Sequence, residues 1–119
     1  MDKVRQFKFI EQKIRDLNAQ KAKAKKMLLM VNSDKKRRDR AEAVWQKLVQ
    51  YQKAQTQKND VSSVKRAVQA AKNRLESLEN VYTVSLFEYN TMCSDISESV
   101  KQICEIVDGF CENLKRSIS

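Results

Sequence analysis

The stretch that decides the fold is residues 61–114, VSSVKRAVQAAKNRLESLENVYTVSLFEYNTMCSDISESVKQICEIVDGFCENL. Its apolar or small residues fall at Val61, Val64, Val68, Ala71, Leu75, Leu78, Tyr82, Ser85, Tyr89, Cys93, Ile96, Val100, Ile103, Val107, Phe110 and Leu114. The steps alternate between three and four, which puts every one of them on a single stripe of an α-helix. One place departs from the alternation: Ser85, Tyr89 and Cys93 follow one another in two steps of four, a stutter that locally unwinds a left-handed supercoil. A heptad pattern this long predicts a helix that buries one face against another helix.

The sequence before it predicts the partner. Asn59 and Asp60 close a polar stretch and read as a turn, with Asp60 or Ser62 available to cap the helix that follows. Upstream, Phe7, Ile10, Ile14, Leu17, Ala24, Leu28 and Val31 form a second stripe, interrupted by Lys21, and Ala41, Trp45 and Leu48 carry it toward Tyr51. Between these, Lys35 and Arg38 occupy the expected core positions. Either the helix breaks at Asn32-Ser33-Asp34 or it continues through a charged layer. Continuity is favoured, because a helix starting there would crowd Lys35, Lys36, Arg37 and Arg38 at its N-terminus, where the dipole disfavours cations.

The expectation is an all-α chain, a long antiparallel helical hairpin or coiled coil. It forms one domain over 1–119, with an arm at 1–58, a turn at 59–60 and an arm at 61–119. Composition agrees: the 119 residues include no proline and one glycine, Gly109, so the usual punctuation of sheets and loops is missing. A turn at 59–60 sets opposite each other residues whose numbers sum to about 119, with Trp45 facing Arg74-Leu75 and Phe7 near Cys111-Glu112. Two helices bury only one narrow seam. The cluster Val81, Val84, Leu86 and Phe87, with Met92 and others, lies wholly or partly off it and asks for a third helix or a second subunit. Val81, Val84, Phe87 and Met92 are therefore the candidate self-association residues, and a homodimer is the expected assembly.

Formal net charge is +9, which calls for an anionic partner. The charge is unevenly placed. Residues 1–58 hold 17 Lys/Arg against 6 Asp/Glu, a net of +11, whereas residues 59–119 hold 7 against 9, a net of −2. Two clusters carry the excess: Lys21, Lys23, Lys25 and Lys26, then Lys35, Lys36, Arg37, Arg38 and Arg40. These nine are the candidate contacts to an anionic surface.

Catalytic and metal chemistry is not expected. The chain has no histidine and no phosphate-binding glycine loop. Cys93, Cys104 and Cys111 lack metal-ligand spacing and read as small, mostly buried helix residues. No cofactor or metal is expected. No apolar run is long enough to span a bilayer and no apolar signal segment follows Met1, so a cytoplasmic, peripheral-membrane location is expected. A basic zipper on DNA fits poorly, because the apolar repeat does not follow directly on the basic run.

The two basic clusters, the Trp45-to-Tyr51 segment, the turn at Asn59-Asp60 and the stuttered repeat together resemble the last two helices of a BAR domain. That family is a dimeric crescent whose long basic second helix turns into a long kinked third one. The resemblance implies an antiparallel dimer that binds anionic lipid membranes and senses or induces their curvature, with the two basic clusters as head-group contacts. The alternative from a different class is a coiled-coil scaffold or adaptor that binds a partner protein through its apolar face. A nucleic-acid binder comes after it.

Overall fold

The computed structural model describes residues 3–54 and 61–118. Two α-helices account for them, α1 at Lys3–Ala54 and α2 at Val61–Ile118. The expected turn and cap at Asn59-Asp60 lie outside the described residues. α1 passes through Asn32-Ser33-Asp34 without a break, as the charge argument favoured. The chain forms two compact units, Met1–Met27 with Tyr89–Ser119 and Leu28–Glu88. In each, one part of α1 is paired with the part of α2 that runs back beside it, which makes the fold an all-α antiparallel helical hairpin.

Facing residues obey the expected register. In the Leu28–Glu88 unit Ala41, Leu75 and Leu78 form the buried cluster, with Trp45 packed against it, and the Arg38 guanidinium lies over the Tyr82 ring, 4.9 Å from its centroid. In the other unit Ile10 shares one hollow with Ile106, Gly109 and Phe110. Each pairing sums to about 119.

On α2 the stripe is as expected from Val64 to Leu114, buried or half-buried throughout except at Val100, which is exposed. Val61 is also expected on it, and its side chain lies outside the described residues. On α1 the seam differs from the expectation by one residue at three points. Gln6, Ile10, Lys13, Leu17, Gln20, Ala24, Met27, Val31, Asp34, Arg38, Ala41, Trp45, Leu48 and Gln52 are buried or half-buried, in unbroken steps of four and three. Phe7, Ile14 and Leu28, expected in the seam, are exposed. An uninterrupted heptad phase fixes which positions face α2, and the phase overrides the apolarity of a neighbouring residue. Lys13 is half-buried on this seam, and its ammonium sits 5.3 Å from the centroid of the Phe9 ring.

The same phase corrects the central layer. Lys35 is exposed, and the buried residue is Asp34. Ser85, the most deeply buried polar residue described, donates its hydroxyl to the Tyr82 carbonyl at 3.1 Å. Arg38, one turn on from Asp34, gives Nε and a terminal nitrogen to Asp39 Oδ1 instead, at 3.2 and 2.7 Å. Among the described residues no ion pair reaches the Asp34 carboxylate. The buried indole N–H of Trp45 also lacks an acceptor there, so that ring is held by its packing rather than by its polar edge.

Gly109 sits inside α2 with open space where a Cβ would stand. Glycine in a helix interior costs about 0.5–1 kcal/mol relative to alanine. Gly109→Ala is therefore expected to raise the unfolding free energy by about that amount, read from the urea midpoint at constant slope. A destabilised variant would show that the space is used.

Candidate anionic-surface and self-association sites

Helical phase explains how α1 presents its cations. Ala24 and Met27 are buried, so Lys21, Lys23, Lys25 and Lys26 around them are left exposed, in the Met1–Met27 part of the first unit. Asp34 and Ala41 turn inward in the same way, which leaves Lys35, Lys36, Arg37 and Arg40 exposed in the second unit. Arg38 is the member of the cluster that differs. Its bond to Asp39 raises its pKa above the usual guanidinium value and outweighs the lowering by desolvation, and the nearby charges of Asp39, Tyr82 and Glu42 raise it further. With its side chain stacked on Tyr82 and bonded to Asp39, it is a seam residue more than a surface one.

One exposed cation beside the second basic cluster escaped the sequence reading. Arg74 of α2 lines a hollow of about 270 Å³ together with Arg37, Arg40, Ala41, Val44 and Ala71. Summing charge by arm hid it, because α2 is acidic overall. The register offered the signal: Arg74 falls opposite Trp45, one turn from Ala41.

Two of the four expected association residues line one hollow. Val81 and Val84 are exposed and line a second hollow of about 400 Å³ with Met30, Asp34, Asn80, Ser85 and Glu88. Phe87 is exposed in the same unit but does not line that hollow, and Met92 is half-buried in the other unit. Met30 and Val44, both exposed, add to this face from α1. No large described side chain is fully enclosed, as expected where two helices have only each other to pack against.

The cysteines depart from the expectation of burial. Cys93 is half-buried, whereas Cys104 and Cys111 are exposed, each one position past the stripe residues Ile103 and Phe110. A hydrogen bond with Cys93, and then charge coupling to it, raises the Tyr89 phenol above its usual pKa. Among the described residues no three metal-ligating side chains come together, and no helix is long and apolar enough to cross a membrane.

No protein-family model, curated protein or solved structure matches this chain.

Proposed function

We propose that this hairpin is a dimeric, BAR-like helical module that binds anionic membrane surfaces and acts by binding rather than by catalysis. The observation that carries the reading is the exposure of eight of the nine clustered cations along α1. Near an anionic bilayer each such residue contributes about 1 kcal/mol, and the sum is screened over about 8 Å at physiological salt. A cytoplasmic, peripheral location goes with this reading.

Co-sedimentation with vesicles tests it. The chain should pellet with phosphatidylserine-containing vesicles, stay in solution with neutral ones, and release as salt is raised. Lys→Glu changes at Lys21, Lys25 and Lys36 should weaken binding stepwise, each by about threefold to tenfold, with helix content unchanged. Equal retention on neutral and acidic vesicles, or none at low salt, removes the membrane reading. An excess of duplex DNA as competitor separates it from nucleic-acid binding, which the same charges would serve. The scaffold reading is favoured by a different observation, the exposed aliphatic face of Met30, Val44, Val81 and Val84, which calls for a protein surface to cover it.

A further inference from the structure

In the Leu28–Glu88 unit the seam sorts charge by sign. Arg37, Arg40 and Arg74 each directly precede a buried or half-buried seam residue, namely Arg38, Ala41 and Leu75. Asp39, Glu42, Glu76 and Glu79 each directly follow one, namely Arg38, Ala41, Leu75 and Leu78. One residue is a rotation of about 100° on an α-helix, so the residues before and after a seam position lie on opposite flanks of it. Arg74 lines the same hollow as Arg37 and Arg40, which puts the preceding positions of both helices on one side. The three arginines thus share one flank and the four carboxylates the other. Glu88 does precede a seam residue, Tyr89, but it is two heptads, about 21 Å, along α2 from Arg74.

The hollow between the arginines, about 270 Å³, is floored by Ala41 and Ala71, whose short side chains leave the space, and edged by Val44. Arg37, Arg40 and Arg74 are all exposed, and no ion pair reaches them among the described residues. Three uncompensated guanidiniums around a small apolar floor suit a compact group of high negative charge. Guanidinium forks meet phosphate oxygens two at a time, and an apolar floor keeps water from one side, which strengthens each charge interaction. A phosphodiester carries a single charge, whereas a phosphate monoester carries about −1.5 to −2 at neutral pH. At about 270 Å³ the hollow falls just below the range of about 300–1,000 Å³ for small-molecule sites, which favours a terminal phosphate over a whole nucleotide.

We infer that the hollow between Arg37, Arg40 and Arg74 binds a phosphate monoester, carried on a lipid head group or on a small soluble compound. Both helices contribute to the site, so it exists only in the folded hairpin. The inference goes beyond the membrane reading: Arg74 belongs to neither basic cluster, and the site selects the chemistry of a ligand group, where a charged surface selects only its sign.

An NMR titration of the full chain at pH 7, read at the arginine Nε–Hε signals with glycerol 3-phosphate as probe, tests the soluble source. The signals of Arg37, Arg40 and Arg74 should shift along one binding curve. Arg74→Gln should weaken binding at least about fivefold. Lys72 directly follows Ala71 and lies on the carboxylate flank, so Lys72→Gln removes the same charge and should stay within about twofold of wild type. The chain has no histidine, and the second ionisation of a phosphate monoester lies near pH 6, so affinity should fall about threefold from pH 7 to pH 5.5. Sulfate, dianionic throughout, should bind alike at both.

Co-sedimentation at pH 7 tests the lipid source, with phosphatidylcholine vesicles carrying either phosphatidic acid, a monoester, or phosphatidylserine, a diester, adjusted to equal surface potential. A lipid-borne ligand gives at least about fivefold tighter binding to the phosphatidic acid vesicles, brought to parity by Arg74→Gln and not by Lys72→Gln. Equal binding to both vesicles with the three arginines still shifted by glycerol 3-phosphate assigns the ligand to soluble compounds. Those shifts with no retention on either vesicle keep the site and remove the membrane reading. Equal vesicle binding with no shift at the arginines, or an Arg74→Gln chain no weaker than Lys72→Gln in both experiments, overturns the site and leaves the membrane reading standing. Neither shift nor retention overturns both.

Discussion

Leu78→Ala is expected to lower the unfolding free energy by about 2–4 kcal/mol. Leu78 belongs to the buried cluster with Ala41 and Leu75, against which Trp45 packs. Its facing neighbour on α1 is an alanine, too small to move into the vacated space, so the cavity term adds to the lost transfer energy. A urea titration followed by Trp45 fluorescence reads the effect at its source. Truncating Phe87, exposed at 71%, is the matched comparison and should change the midpoint little at protein concentrations where the chain is monomeric. A Leu78→Ala loss below about 1 kcal/mol would show that the cluster contributes little to holding the hairpin together.

Asp34→Leu is expected to have the opposite sign. The carboxylate is 8% exposed, no ion pair reaches it among the described residues, and Arg38 is committed to Asp39. Replacing a buried polar group that has no ion-pair partner with apolar volume beside Val31 and Ser85 should stabilise the hairpin by about 1–3 kcal/mol. For a chain of this size that is a rise in Tm on the order of 5 °C, measured at fixed protein concentration because association adds to apparent stability. A lowered Tm would show that the carboxylate holds the seam through contacts worth more than its desolvation.

The legibility of the two helices differed for a physical reason. α2 keeps its apolar residues on the heptad positions, so its stripe could be followed from Val64 almost to the C-terminal end of α2. α1 puts Gln6, Lys13, Gln20 and Asp34 on those positions and apolar Phe7, Ile14 and Leu28 beside them. Following apolarity there leads one residue away from the seam, whereas following the phase of four and three does not. The same one-residue offset separates exposed Lys35 from buried Asp34. The antiparallel pairing was legible because one register aligns both stripes. Arg74 was not, since its importance arises only when the register sets it beside Arg37 and Arg40.

The polar layer of Asp34, Arg38, Tyr82 and Ser85 also determines where alignment is stored. Sliding α1 by one heptad carries Asp34 from the level of Ser85 to that of Leu78, and Arg38 from the face of Tyr82 to Leu75. Most apolar positions would still find apolar partners, so the seam itself discriminates weakly between alignments. Pressing a carboxylate and a guanidinium onto leucines costs several kcal/mol, and that penalty selects one alignment from several near-equivalent ones. The selection is made well inside the hairpin, away from the segment that joins its helices. A change in the number of residues between α1 and α2 should then leave the pairing of Arg38 with Tyr82 where it is.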